Sequence, residues 1–135
     1  MDFKVSKYKG SDHLSFVLFE NHRVPVFEHG AAILLNSSYQ QVMNVTLPRE
    51  LRLNIHDFSL LDEGKSAIVL MDVETQARNF SNGTREWEGR LVGNGFREID
   101  LRSRDTMFEW RAVDHVSVFE SSNPAPSGRN AWDYL

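Results

Sequence analysis

The sequence predicts an all-β fold, and three features of its patterning support this class. Apolar and polar residues alternate with a period of two over most of the chain, as in strands that bury one face. No segment sustains the three-to-four-residue periodicity of an amphipathic helix. Clusters of Gly, Ser, Asn and Asp separate the alternating segments, and these residues are typical of tight turns.

Eight segments carry the alternation, and each is predicted to form a strand. They are Phe3–Lys9, Leu14–Glu20, Ala31–Leu35, Gln40–Thr46, Ile55–Leu61, Ser66–Asp72, Phe96–Leu101 and Met107–Ala112. Short turn sequences predict hairpins over residues 55–72 and 96–112. Residues 74–95 contain four glycines and no clear period, which predicts a long loop. Residues 50–52 are candidates for a short helical turn after Pro48.

More than one architecture suits these strands. The two hairpins share a strand, Asp-containing turn and strand about 40 residues apart, a spacing that matches one blade of a β-propeller. The chain would then supply two adjacent antiparallel blades. Eight short strands also suit a small closed barrel or a sandwich, and a barrel would bind a small ligand at an opening lined by Trp87 and His56. Composition does not separate these alternatives.

Charge and composition narrow the range of partners. The chain has 135 residues, enough for one domain with a core, and a net charge of −4. Its basic residues are scattered and form no basic stripe, which argues against a nucleic-acid partner. No apolar run approaches the roughly 20 residues that span a bilayer. The absence of cysteine excludes disulfides and thiolate chemistry.

Signals of cellular compartment disagree with one another. The first residues lack the basic-then-apolar arrangement of a secretory signal peptide. Four acceptor sequences for N-glycosylation point the other way, toward secretion, at Asn36, Asn44, Asn79 and Asn82. The localisation is therefore left open.

The five histidines are the main candidates for chemistry. Their spacing does not match a zinc site, so no metal is expected. Asp12–His13 and Asp114–His115 are poor acid–base pairs unless the backbone turns there, because adjacent strand residues point to opposite faces. The sequence contains no nucleophile elbow and no glycine-rich phosphate loop, so no cofactor is expected.

His56 is the most informative histidine by position. Alternation places it on the same face as Phe58, at the open end of a strand, where a partly buried imidazole is expected. Such an imidazole can titrate near neutral pH or act as a nucleophile. The same spacing also fits an ordinary polar residue at a strand end. Trp110, in the second hairpin, is expected in the core.

Five segments resemble the fungal branch of the arylsulfotransferase-like family, whose members are six-bladed β-propellers. They are YKGSDHLSF (8–16), LLNSSYQQV (34–42), NIHDFSLLDEGKSAIV (54–69), GFREIDLRSRDTMFEWRAVDHVSVFESS (95–122) and AWDYL (131–135). The third is similar to the family's Asp-Leu-His-Glu-Phe segment. The fourth is similar to a strand ending in Phe-Glu-Trp before an Asp-His loop, and the fifth to the start of Trp-Asp-Tyr-Phe-His-Ile-Asn.

This resemblance implies an activity. Members transfer a sulfuryl group from an aryl sulfate ester to a phenol without a nucleotide donor, through a histidine nucleophile in the bacterial relatives. His56 matches the family's histidine and is implied to be the nucleophile or a sulfate-binding group. His115, in the Asp-His loop, is a second and weaker candidate.

The resemblance also predicts an incomplete enzyme. The sequence ends at Leu135, where the family pattern continues into Phe-His-Ile-Asn, and Asp57 stands where the family has Glu. We expect residues 1–135 to form about two to three blades of six, with residues 121–135 as a loop-rich tail. Such a partial member is expected to be inactive alone and to self-associate through open blade edges. The alternative function is a non-catalytic β-rich interaction module.

Overall fold

The computed structural model describes residues 3–18, 30–81, 86–122 and 132–133, and most of these lie in strands. The strands are β1 (Lys4–Tyr8), β2 (Ser11–Leu18), β3 (Ala31–Leu35), β4 (Gln41–Val45), β5 (Leu51–Leu61), β6 (Ser66–Ser81), β7 (Glu86–Asp100), β8 (Thr106–Arg111) and β9 (Trp132–Asp133). Two short 3-10 helices, η1 (Ala112–Asp114) and η2 (Val118–Glu120), follow β8. Within the described residues, no helix has the length and apolar character to cross a membrane. The all-β prediction is confirmed.

The strands form two sheets in which each strand pairs with the next along the chain. The first sheet has the order β1-β2-β3-β4 and the second β5-β6-β7-β8, and all these pairs are antiparallel. β9 adds to the second sheet by parallel pairing with β7 at Leu91 and Val92. A four-stranded antiparallel meander is the architecture of one propeller blade. The described strands form two open sheets, in contrast to the closed barrel of the alternative interpretation.

One continuous core joins the two sheets face to face. Val17 and Val45 of the first sheet belong to the same buried cluster as Phe58, Val69 and Met71 of the second. These five side chains expose at most 2% of their surface, and each buried side chain of this size contributes about 2 kcal/mol of hydrophobic stabilisation. The alternation seen in the sequence therefore buries one face of each blade against its neighbour.

The predicted loop over residues 74–95 is wrong, because β6 and β7 continue through this segment. Their pairing extends from Ser66↔Asp100 as far as Ser81↔Glu86. Gly95 is one of the four glycines on which the loop prediction rests. It lies inside β7, where the close packing of the neighbouring strand requires a glycine. A Cβ atom there would sit 2.6 Å from the carbonyl oxygen of Trp110 in β8. The glycine thus marks a close backbone approach within a sheet.

The predicted helical turn over residues 50–52 is also wrong. β5 begins at Leu51, which pairs with Val73 of β6 and is almost fully buried. Burial of this side chain in the shared core favours the extended backbone over an isolated helical turn, which would have no such compensation. The predicted hairpin turns after β5 and β7 are confirmed.

The turn between β5 and β6 fastens the first sheet to the second. Asp62, Glu63 and Gly64 all have positive φ angles, and the backbone N–H of Lys9 donates to the Glu63 carbonyl over 3.0 Å. Gly64 lies under the ring of Tyr8, which a Cβ at this position would overlap. Two requirements therefore meet at Gly64, a left-handed backbone and an absent side chain.

Replacing Gly64 by alanine should destabilise the protein more than the same change at Gly10. Both glycines have positive φ, but a Cβ at Gly10 meets no atom within 4 Å. Gly10→Ala should cost about 1–2 kcal/mol for the left-handed backbone, and Gly64→Ala a further ~1–3 kcal/mol for the overlap with Tyr8. Urea unfolding of both variants measures the difference, and equal losses would contradict the proposed contact between the sheets.

Candidate functional site

His56 lies in a wide bulge of β5. Leu53 pairs with Met71 and Phe58 pairs with Val69, so the four residues between Leu53 and Phe58 oppose the single residue Leu70. A bulge of this kind bends its strand and redirects the side chains that it contains. The sequence signal for His56 therefore falls on the one irregular segment of an otherwise regular strand pair.

The bulge changes the predicted orientation of His56. Alternation placed the imidazole beside Phe58 in a partly buried position, but His56 is exposed while Phe58 is 2% exposed. The prediction fails because the extra residues break the period-two pattern between these two positions. Ile55 packs against the core instead and anchors the bulge. The imidazole consequently faces solvent on β5, the first strand of the second sheet.

The side chain of Asn54 holds the backbone and the ring of His56 together. Its Oδ1 accepts the backbone N–H of His56 over 2.9 Å and lies 2.6 Å from Nδ1 of the imidazole. The first contact closes an Asx turn, a local structure that Asn favours. The ring is thus fixed by its Nδ1 side, and Nε2 makes none of these contacts.

Asp72 of β6 extends this arrangement by one residue. Its Oδ1 accepts from Nδ2 of Asn54 over 2.7 Å. Both ends of the Asn54 amide therefore have partners: Nδ2 donates to Asp72 and Oδ1 contacts His56. Sequence alternation did not identify Asn54 or Asp72 as site residues, although Asn two positions before a histidine is a recognisable Asx-turn pattern.

Asp57, also in the bulge, connects the two sheets electrostatically. Its carboxylate forms an ion pair with Lys4 of β1, and Nζ of Lys4 also donates to Oγ of Ser59 over 3.2 Å. The hydrogen bond from Lys4 lowers the pKa of Asp57 below its ordinary value of 3.8. Lys4 and Asp57 are still partly exposed, at 32% and 48%, so solvent screens much of their attraction.

A cavity of about 310 Å³ adjoins the Asp72 side of this arrangement. It is lined by Arg49, Glu50, Arg52, Asp72, Glu74, Thr75 and Val92. The two guanidinium groups can donate several hydrogen bonds to the oxygens of an anion. Asp72 belongs both to this lining and to the contact with Asn54. The volume is at the lower end of the range for small-molecule sites.

His115 lies apart from His56. It follows η1, is exposed, and stacks on Trp110 with ring centroids 5.3 Å apart and an interplanar angle of 7°. β6 and β7 separate β5 from β8, so the two strand backbones are about 14 Å apart at 4.8 Å per strand spacing. The structure does not bring the two histidines together within the second sheet.

Trp110 lies outside the predicted location. It is only partly buried and stacks on Phe96 at 5.8 Å on the face of the second sheet opposite the core. The Phe96↔Trp110 register explains this, because Phe96 alternates with the core-facing Gly95. Trp110 thus belongs to an aromatic row with Phe96, Phe108 and His115.

The two sequential Asp-His pairs lie in different backbone settings, the first within β2 and the second at the end of η1. Asp12 pairs with Lys7 at 2.7 Å, whereas His13 contacts the carbonyl of Ser11. Asp114 lies 3.9 Å from Nε of Arg111, whereas the ring of His115 stacks on Trp110. Among the described residues, no group of three His, Asp or Glu side chains converges as metal ligands would.

The glycosylation sequences differ in their settings. Asn36 caps the turn after β3, where its Oδ1 accepts the backbone N–H groups of Ser38 and Gln40. Asn44 lies in β4. Asn79 is in β6 with its side chain outside the described part, and Asn82 lies outside the described residues. Modification of these sites stays a prediction.

Removing the Asp57 carboxylate should flatten the acid dependence of stability. Because the folded-state pKa of Asp57 is lowered, its contribution is present above the ordinary value of 3.8 and is lost as the pH falls through the lowered value. Asp57→Asn should reduce the free energy of unfolding at neutral pH by about 0.5 kcal/mol and weaken its fall below about pH 4. Asp12→Asn, which breaks the more exposed ion pair with Lys7, is the control. Urea titrations across pH measure both, and parallel curves for wild type and Asp57→Asn would contradict the assignment.

Comparison with known proteins places this geometry in a family. The family model described as arylsulfotransferase (ASST) matches residues 11–134. Neither the curated proteins nor the solved structures contain a match to the sequence. The matched range includes most of both sheets, the bulge with His56, and the loop with His115. The chain therefore belongs to the arylsulfotransferase family.

Proposed function

We propose that this chain is a two-blade part of an aryl sulfate sulfotransferase propeller, in which His56 is the nucleophile. The observation that carries the proposal is the exposed imidazole in the β5 bulge, held through Nδ1 by Asn54. This contact leaves Nε2 directed away from the hydrogen-bonded side of the ring. A histidine with one nitrogen fixed and the other open is suited to nucleophilic catalysis.

The proposed reaction proceeds in two balanced steps. The Nε2 lone pair attacks the sulfur of an aryl sulfate ester, and an N–S bond forms as the bond from sulfur to the phenolic oxygen breaks. The phenolate leaves with that electron pair. An acceptor phenolate then attacks the sulfur, and the N–S bond breaks and returns its electrons to Nε2. Splitting one transfer into two displacements is the advantage of covalent catalysis.

Two arginines of the cavity beside Asp72 are the groups proposed to bind an anionic substrate. Arg49 and Arg52 would offer hydrogen bonds to the sulfuryl oxygens, on which negative charge is concentrated. Three carboxylates in the same lining, those of Glu50, Glu74 and Asp72, outnumber the two arginines by one and would oppose non-specific anion binding. The substrate class that fits the family and this lining is a small aryl sulfate with a phenolic acceptor.

We further propose that residues 1–135 alone do not turn over substrate. His56 lies in β5 and His115 follows β8 and η1, and these two strands stand at opposite ends of the order β5-β6-β7-β8, so only His56 is assigned to the site. Sulfuryl transfer would need further cationic or hydrogen-bonding groups around the sulfur. Binding without turnover is therefore the expected behaviour of this chain.

Titration of the chain with 4-nitrophenyl sulfate tests the site. The ester should shift the imidazole resonances of His56, and Arg52→Gln should weaken the apparent affinity about tenfold by removing one charged hydrogen-bond donor. Arg102→Gln, in the exposed turn after β7, should leave the affinity unchanged. With phenol added, no nitrophenol should be released above the blank. Unshifted His56 resonances reject the site, and turnover that disappears in His56→Ala rejects the need for further groups.

A second role, as an interaction module, is favoured by exposed apolar residues on an edge strand. Met107 and Phe108 of β8 are 60% and 51% exposed, and β8 pairs on one side with β7. Exposed strand edges with apolar side chains promote pairing between chains. We propose self-association through such open blade edges.

Sedimentation velocity over a range of concentrations measures this association. The wild-type chain should sediment increasingly as oligomers, and Phe108→Lys should weaken the association about tenfold, since a charge on an edge strand disfavours pairing. Tyr39→Lys, at a residue 78% exposed in the turn after β3, is the matched control. A monomeric wild type, or an equal effect of both lysines, would argue against association through β8.

A further inference from the structure

We infer that Asn54 and Asp72 are positioning residues that keep His56 protonated on Nδ1, so that the neutral ring carries its lone pair on Nε2. The inference deepens the proposed function and rests on it for the identity of the reacting nitrogen. The tautomer itself follows from hydrogen bonds within β5 and β6. It can therefore be measured whether or not the chain binds a sulfate ester.

The orientation of the Asn54 amide is the first step. The backbone N–H of His56 can only donate, and it lies 2.9 Å from Oδ1 of Asn54. On the other side, a carboxylate oxygen of Asp72 can only accept, and it lies 2.7 Å from Nδ2. Reversing the amide would break both hydrogen bonds at once. These two partners therefore fix which end of Asn54 faces the imidazole.

The protonation of the ring follows from this orientation. Oδ1 of Asn54 lies 2.6 Å from Nδ1 of His56 and has no hydrogen to give. Nδ1 must therefore be the donor, because two acceptors at this distance would repel each other. In a neutral imidazole only one nitrogen carries a hydrogen, so Nε2 is left as the acceptor.

The arrangement also accounts for the chemistry required of His56. When Nε2 attacks sulfur, positive charge develops on the ring and is shared with Nδ1–H. The Asn54 carbonyl stabilises this charge, and the Asp72 carboxylate polarises the amide from behind. The bond from sulfur to the phenolic oxygen breaks, the phenolate leaves with that electron pair, and the hydrogen on Nδ1 stays in place. No base is needed to activate the nucleophile.

The bulge explains why three residues from two strands can meet in this way. Asn54 and His56 are two positions apart, which in a regular strand would place both on one face without a contact between the backbone and the Asn side chain. The irregular register between Leu53 and Phe58 lets the chain fold back into an Asx turn. Asp72 reaches Asn54 from the adjacent strand, where the pairing with Arg52 is still regular.

Long-range ¹H–¹⁵N correlation spectra of the 135-residue chain test the inference directly. At a pH where His56 is neutral, the wild type should show the pattern of a ring protonated on Nδ1. Asn54→Ala should change the tautomer ratio at least about fivefold toward Nε2–H, the factor that loss of one neutral hydrogen bond supplies. Asn36→Ala, which removes an Asx-turn amide after β3, should leave His56 unchanged.

Exchange of the two side chains separates positioning from simple structural support. The double variant N54D/D72N retains an oxygen that faces Nδ1 and a donor–acceptor pair between the two positions, so the Nδ1–H pattern should return. A wild-type ring protonated on Nε2 would overturn the inference without any variant having to fold. Intact Nδ1–H tautomer with no response to 4-nitrophenyl sulfate would instead remove the proposed function and leave the positioning role.

Discussion

The contact between the two sheets is the constraint on which the remaining structure depends. Each sheet is a meander with one face in the shared core, and neither can bury that face alone. Phe58 and Val17 meet in the same cluster, so β5 is fixed against the first sheet from one side. The Asp57–Lys4 ion pair and the contact of Tyr8 over Gly64 lie along the same junction. The position of the β5 bulge therefore depends on the packing between the two sheets. Such packing is close enough that a change of a single methyl group in the core disturbs it.

The bulge and the core impose opposite demands on the same short segment. Ile55 and Phe58 point inward and pack, whereas His56 and Asp57 face outward. A regular strand cannot satisfy both with consecutive residues, because its side chains alternate. The extra residues opposite Leu70 resolve the conflict. The bulge thus allows β5 to keep its contacts with the core while it presents the imidazole of His56 to solvent.

The sequence predicted the class, the positions of eight strands and both hairpins, since period-two burial is a local signal. The predictions from sequence were wrong where a feature depends on contacts between residues that are distant along the chain. Gly95 favours a loop in the sequence, because the sequence of one strand does not reveal that the Trp110 carbonyl of the neighbouring strand lies close to it. His56 stands out in the sequence by its position and by the resemblance to the family, but its exposure could not be predicted, because a bulge depends on pairing between strands. Asp72 was missed for the same reason, since it becomes a neighbour of Asn54 only through the register of β5 and β6.

The short strand β9 covers part of the edge of β7 that would otherwise be open to strands of other proteins. β8 pairs with β7 only from Gly95 onward, and β7 extends well beyond that point. Trp132 and Asp133 occupy part of the length that β8 leaves open, opposite Leu91 and Val92. Hydrogen-bonding groups that would otherwise attract a foreign strand are thereby occupied by the chain itself. These two residues therefore shorten the part of the β7 edge to which a strand of another polypeptide could pair.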